Sequence, residues 1–118
     1  MTYIPKDENF RISVAESFSR QVFMKTIGAA LISVEPGQCV IELPYAKDLT
    51  QQHGFFHAGV VSTLADNAAG YAAFSLMNSD SSILTVEFKL NLLAPADGEL
   101  LVARSEVLKY GKTLTVCR

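Results

Sequence analysis

Residues 51–77 read Gln51-Gln52-His53-Gly54-Phe55-Phe56-His57-Ala58-Gly59-Val60-Val61-Ser62-Thr63-Leu64-Ala65-Asp66-Asn67-Ala68-Ala69-Gly70-Tyr71-Ala72-Ala73-Phe74-Ser75-Leu76-Met77, and the fold turns on how they are read. A polar, turn-like lead-in feeds a long apolar run rich in small residues. Val60, Val61, Leu64, Ala65, Ala68, Ala69, Ala72 and Ala73 recur at helical spacing, which predicts a helix over about 57–77. A helix apolar nearly all round is a buried helix. Between Gly54 and Ser79 the only formally charged residue is Asp66. A carboxylate carried into a buried helix is costly unless it is paired, hydrogen-bonded or used, so Asp66 is the residue that requires an explanation. The stretch has the length of a bilayer crossing, but His57, Ser62, Thr63, Asp66 and Asn67 and the many Ala and Gly residues supply too little transfer energy for one.

The flanking segments supply the layers around this helix. Upstream, Phe10, Val14, Phe18 and Val22 lie four apart and predict an N-terminal helix over about 9–24, with Glu16 and Arg20 as an i,i+4 pair, behind a frayed polar segment 1–8. Strands are expected over Gly28–Glu35 and Gln38–Pro44, joined at Pro36-Gly37. Downstream, Ile83–Leu93 is the clearest strand in the chain. Leu84, Val86, Phe88, Leu90 and Leu92 share one face, and Thr85, Glu87, Lys89 and Asn91 the other. Two more strands are expected, Glu99–Lys109 and Thr113–Arg118, linked at Tyr110-Gly111-Lys112. Strands segregated from one dominant helix give an α+β class, a helix lying on an antiparallel sheet in a single domain over 1–118. The last strand reads as cut short, and the edge it leaves calls for more chain or a partner.

Composition excludes several function classes. The net charge of −2 comes with scattered basic residues, which offers no field for nucleic acid. Cys39 and Cys117 form no spacing motif and fit reduced thiols in a cytoplasmic protein. His53 and His57 are four apart, but Gly54 lies between them and no H-E-x-x-H pattern is present, so no metal site is expected.

The run Gly54-Phe55-Phe56-His57-Ala58-Gly59-Val60-Val61-Ser62-Thr63-Leu64-Ala65-Asp66 resembles the G-x-x-H-G-G-x-x-x-x-L-x-D signature of hotdog-fold thioesterases of the phenylacetate-pathway (PaaI-like) type. Thr85 to Ala96 is similar to that family's strand ending in a Pro-Ala turn. The resemblance implies an antiparallel sheet wrapped round the central helix, homodimers or homotetramers with sites between subunits, and hydrolysis of acyl-CoA with no cofactor other than the coenzyme A of the substrate. It further implies roles for particular residues. Asp66 stands for the catalytic carboxylate, His57 for the motif histidine, and Ala58 for the middle glycine whose N–H polarises the thioester carbonyl. Gln51 stands where the family has Asn, the residue that holds or orients the substrate carbonyl or the water, and Thr85 where some members place the hydroxyl that positions water. Ala58 for Gly adds a methyl near the substrate, and Gln51 for Asn lengthens the arm by one methylene.

Chemically, a helix start offers free N–H groups and the positive end of the dipole, so Ala58 and Gly59 are the expected oxyanion donors. Asp66 serves either as general base or as nucleophile. Gly54 and Phe56 near the helix mouth, with Arg104 and Lys112 for the phosphates of coenzyme A, complete the expected substrate-binding set. Bland roles stand beside each: a structural Asp66, a capping His57, an ordinary polar-face Thr85, core phenylalanines and solvated cations. A non-hydrolytic acyl-CoA or fatty-acid binding protein and an acyl-thioester dehydratase or hydratase are the rival functions. Asp66 and the helix mouth are roughly 12 Å apart at 1.5 Å per residue, so one carbonyl carbon meets both only across a two-fold interface.

Overall fold

Gln21 breaks the N-terminal helix. In the computed structural model, which describes residues 2–118, helix α1 spans Phe10–Arg20 and a second short helix, α2, spans Val22–Ile27. The single helix expected over 9–24 is therefore two. The break turns the apolar stripe: Phe10 and Val14 are buried, Phe18 is half-buried, and Val22 is left 74% exposed. The expected Glu16–Arg20 pair is not formed; instead Arg11 bonds Glu35 at 2.6 Å, tying α1 to the end of the first strand. Gly28, at a φ of 85°, closes α2 in the left-handed conformation that a residue without Cβ adopts freely.

The segment ahead of α1 is pinned to the sheet rather than frayed. Lys6 donates its N–H to Leu76 O at 3.3 Å, and the Tyr3 hydroxyl reaches Val107 O at 3.5 Å. Met1 lies outside the described residues.

Strands β1 (Ala30–Glu35) and β2 (Gln38–Pro44) form the expected hairpin. Gly37 at the turn has a φ of 76°, and a Cβ there would sit 3.0 Å from the Tyr3 ring. β2 pairs antiparallel with β3 (Leu100–Tyr110), and β3 with β4 (Thr115–Cys117), giving the order β1-β2-β3-β4. Alternation along β2 points Cys39, Ile41 and Leu43 inward, all three buried.

Helix α3 spans Ala58–Phe74, inside the expected 57–77. It lies on the inner face of this sheet. Leu64, Ala68, Tyr71 and Ala72 form its buried stripe, in one core with Ile41, Leu43 and Val107. The small residues let the helix axis approach the β2 backbone. Its C-terminal end is locked by Ser75, fully buried: the Gly37 N–H donates to Ser75 Oγ at 2.8 Å, and that hydroxyl donates to Ala72 O at 2.7 Å. A buried hydroxyl with both bonds made carries no desolvation penalty.

Two expectations are corrected. α3 is not buried all round; it carries half-buried flanks, and Asp66 sits on one of them. Ile83–Leu93, the clearest strand in the sequence, is in no ladder. Among the described residues it runs unpaired, with Leu84 at 90% and Leu93 at 93% exposed, because the sheet's four strands pair with one another. Pattern sets the alternation of a strand, but a ladder needs a second backbone beside it. The last strand is also shorter than read: Thr115–Cys117 replaces Thr113–Arg118.

Both cysteines are free thiols, and burial pushes the Cys39 thiol up to about 12. Between the ordinary thiol range and that value the folded chain holds a proton that the unfolded chain has lost. Stability is therefore unaffected by this group below about pH 8.5 and falls as pH rises toward 12. Cys39→Ala should remove that alkaline component, read as a flatter denaturant midpoint from pH 8.5 upward. In the native wild type at pH 8, Cys117 should react with a disulfide reagent ahead of Cys39, which should react only on unfolding.

Candidate functional site

The lead-in to α3 is a turn built on one side chain. Gln51 Oε1 accepts the His53 N–H at 2.6 Å and the Phe55 N–H at 3.3 Å. The backbone closes the same turn through Gly54 N–H to Gln51 O at 3.0 Å, with Gly54 at a φ of 87°. The Gln51 oxygen, expected at the substrate, is engaged within its own loop, and Gly54 is required by backbone conformation. Phe56, expected at the substrate, is buried in the core, edge-on to Tyr45 with centroids 5.6 Å apart. Its N–H bonds Ala96 O at 3.0 Å, and the next N–H, of His57, bonds Leu49 O at 2.9 Å. These bonds fix where α3 begins.

His57 is the N-cap of α3. Its Nδ1 accepts the Gly59 N–H at 2.8 Å, which places the ring proton on Nε2. A Cβ at Gly59 would lie 3.0 Å from that nitrogen, so a larger residue there would crowd the cap. Val60 and Val61 N–H groups both turn to His57 O, at 2.9 and 3.2 Å. Of the two expected oxyanion donors, Gly59 is thus already bonded. The Ala58 N–H has no partner among the described residues, and it opens on an exposed helix mouth.

Asp66, two turns along, accepts a hydrogen bond from the Thr85 hydroxyl to Oδ1 at 2.7 Å. This contact joins two sequence-predicted site residues that lie far apart in the chain. Thr63, three residues ahead of Asp66 on the same helix, instead bonds back to Gly59 O at 2.9 Å. Thr85 belongs to the unpaired segment 81–93, and its bond to Asp66 turns the polar face of that segment toward α3.

Arg104 and Lys112 are not brought together. Arg104 is exposed on β3, whereas Lys112 lies on the turn beyond Tyr110, about 20 Å further along at the strand rise. Arg104 borders a cavity of about 240 Å³ between α3 (Val61, Leu64, Ala65, Ala68) and β3, with Arg118 at the other border. Asp66 and His57 do not line it.

The sequence reading passed over a polar cluster next to Asp66. Gln21 Nε2 donates to Asn67 Oδ1 and to the Tyr71 hydroxyl, both at 2.9 Å, and Ser17 Oγ lies 3.1 Å from that hydroxyl. The cluster fastens the α1–α2 break to α3 one residue past the carboxylate. The signal was present as Asn67 and Tyr71, one turn apart on an otherwise apolar helix.

The profile of the Thioesterase superfamily matches residues 53–118, so the chain belongs to that superfamily. A 1,4-dihydroxy-2-naphthoyl-CoA hydrolase of Listeria monocytogenes is 33% identical over 78% of this chain and 75% of its own length. A thioesterase family protein from Silicibacter pomeroyi superposes with a TM-score of 0.90 at 53% identity, over 92% of this chain and 79% of the other. The PaaI protein of Escherichia coli, from its phenylacetic acid degradation operon, shares the fold at a TM-score of 0.76 and 21% identity, over 92% of this chain and 86% of the other. The fold is α+β of the hotdog kind, and the chain is an enzyme of the thioesterase class. Among the described residues no helix is long and apolar enough to cross a membrane.

Removing the cap should destabilise without touching the carboxylate. His57→Ala is expected to cost about 1 kcal/mol, the usual loss for an N-cap acceptor, and to lower Tm by roughly 4 °C in a thermal melt. His57→Asn, which also offers an acceptor, should recover most of that.

Proposed function

We propose that this enzyme hydrolyses acyl-CoA thioesters to a carboxylic acid and free coenzyme A, with Asp66 as the reacting carboxylate. The observation that carries the reading is the 2.7 Å bond from Thr85 to Asp66 Oδ1. It satisfies one carboxylate oxygen and leaves Oδ2, which has no partner among the described residues, to take a proton from water or to attack carbon itself. In the first course, water oxygen bonds to the thioester carbon, its proton passes to Asp66, and the carbon–sulfur bond breaks to release the thiolate, which is then protonated. In the second, the carboxylate displaces the thiolate and water cleaves the resulting anhydride.

The carbonyl oxygen gains negative charge in either course. The Ala58 N–H, at the positive end of α3 and without a partner among the described residues, is the donor assigned to it, a contribution of about 3 kcal/mol for one such donor. Ala58 and Asp66 are separated by roughly 12 Å of helix, so the reading requires the Ala58 of one copy to face the Asp66 of another in a homodimer or a dimer of dimers. Gln51 contributes by holding the loop that sets the helix mouth, while its Nε2, without a partner among the described residues, can turn to substrate. Phosphate contact falls to Arg104, which borders the cavity along α3, rather than to Lys112 at the far turn. The reading invokes no metal or redox cofactor and places the protein in the cytoplasm, in keeping with its two free thiols.

The experiment is thiol release from short, medium, long and aromatic acyl-CoAs. Asp66→Asn should lower kcat at least ~10²-fold, the loss expected for a group that acts in the transition state. Thr85→Val should lower it less, with Thr85→Ser restoring activity. Undiminished release by Asp66→Asn overturns the assignment, and tight acyl-CoA binding without release by the wild type makes the protein a binder. A single turnover in H₂¹⁸O with enzyme in excess bears on the two courses: unlabelled product acid with the label in Asp66 means carboxylate attack, whereas labelled acid means that water attacked the acyl carbon, in the thioester or in the anhydride, and trapping of an acyl-enzyme by hydroxylamine then separates those two.

A further inference from the structure

Two hydroxyls stand one turn ahead of Asp66 on the same helix, and both already donate their protons elsewhere. Ser62 Oγ donates to Ala58 O and Thr63 Oγ1 to Gly59 O, each at 2.9 Å. A hydroxyl has one proton and two lone pairs, so these bonds leave both oxygens as acceptors only. At about 100° per residue, Ser62 lies about 40° to one side of Asp66 around the helix and Thr63 about 60° to the other. Residues three and four apart have Cβ atoms about 5–6 Å from each other, and a helical side chain leans back over the turn that precedes it. The Asp66 carboxylate thus leans over a turn that offers it two acceptors. Thr85 satisfies Oδ1 at 2.7 Å, and Oδ2 has no partner among the described residues.

Nothing in the helix itself asks for these two side chains. Ser62 and Thr63 are the only Ser or Thr in α3, where Ala would form helix better and back-bonding slightly weakens it. Both fall on the one turn that the carboxylate covers. The flank is also open. Gly70 lies one turn beyond Asp66 on the same side, and a Cβ there would meet nothing within 4 Å.

A carboxylate oxygen cannot bond to a neighbouring acceptor. A molecule with two protons can bond to both at once, and water is the smallest such molecule. We propose that Asp66 Oδ2, Ser62 and Thr63 form the seat of the hydrolytic water. Oδ2 accepts one water proton and a hydroxyl oxygen, of Ser62 or Thr63, accepts the other. Both protons then face the helix, and the water lone pairs face a thioester carbon brought to this flank. The seat rests on the reading of Asp66 as the reacting carboxylate and deepens it, because a built place for water makes Asp66 the general base. The water oxygen bonds to the thioester carbon as its first proton passes to Oδ2. The carbon–sulfur bond then breaks with its electron pair on sulfur, and the thiolate takes that proton from Asp66. The second proton stays with the product acid. The hydroxyls position the water and exchange no proton with it.

Thiol release and product analysis in water–methanol mixtures test the seat. The variants are Ser62→Ala, Thr63→Val and their double, beside Asp66→Asn. Thr26→Val is the control, since its Oγ1 makes the same kind of bond, to Val22 O at 3.2 Å, away from the site on α2. Methanol carries one such proton, so on the seat it bonds Oδ2 but sets its methyl against the hydroxyl oxygens. The wild type should therefore favour water. The double variant should lower kcat for hydrolysis roughly tenfold or more, with KM within about twofold. Its ratio of methyl ester to acid should rise roughly threefold or more, because the methyl now meets apolar groups. Its Tm should not fall, since Ala exceeds Ser and Val equals Thr in helix propensity. The single variant with the larger loss names the hydroxyl that holds the second proton. Thr26→Val should match the wild type throughout. A double variant that hydrolyses like the wild type, or that loses activity with an unchanged ester-to-acid ratio, overturns the seat. Should the double variant not fold, the two singles are read in the same way. Loss of hydrolysis in Asp66→Asn with none in the double variant overturns the seat alone. Undiminished hydrolysis by Asp66→Asn, or a wild type that releases no thiol, overturns the reading of the carboxylate and the seat with it.

Discussion

The structure depends on one packing arrangement, the small-residue stripe of α3 laid against the inward side chains of β2. Ala68 and Ala72 are nearly inaccessible, and they face a strand whose Cys39, Ile41 and Leu43 are equally closed off. Small residues on the helix and branched or medium ones on the strand set the spacing between the layers at close-packed density. A larger side chain on the stripe forces the layers apart, and nothing else in a domain of this size would compensate. The site inherits its geometry from that contact. The start of α3 is set by the loop bonds to Leu49 and Ala96, its end by Ser75 on the hairpin turn, and its rotation by the stripe itself. With both ends and the rotation fixed, Asp66 can only emerge on the flank along which Thr85 passes.

Much of this was legible in residue order. The period of Leu64, Ala68 and Ala72 placed the helix and its buried side, and Pro36-Gly37 placed the hairpin turn between Glu35 and Gln38. The single charge in the run singled out Asp66, and the spacing of the motif put His57 at the helix start, where it serves as the cap. What was not legible had a common cause: it depended on partners distant in sequence. Gln21 breaks a helix whose stripe continues unbroken through Val22, because its amide finds Asn67 and Tyr71 on another element. Glu16 and Arg20 have pair spacing, yet Arg11 reaches Glu35 across the layers instead. The Ile83–Leu93 segment shows the limit most clearly. Its alternation is that of a strand, and alternation describes faces without saying what lies along the edges.

The site likewise divides by range. Residues whose roles are local, such as His57 as a cap and Gly54 in its turn, follow from position alone. Gln51 and Phe56 sit in the motif and were read toward substrate, but the loop uses the one for its own closure and the core uses the other as filling. A motif conserves a loop's architecture as much as its chemistry, and only geometry separates the two.

The pairing of β2 with β3 has a consequence for how the chain reaches this state. Gln38 lies opposite Glu106, so the central ladder joins segments separated by all of α3 and the extended segment that follows it. The β1–β2 hairpin and α3 are local and form on microsecond scales, while their mutual packing supplies a surface before β3 arrives. The rate is then governed by closure of that long loop, whose entropic cost grows only with the logarithm of its length. Throughout that wait Leu84, Val86 and Phe88 stand bare to solvent and to other chains, and synthesis from the N-terminus prolongs it, because the hairpin and helix emerge well before the strand that completes the ladder.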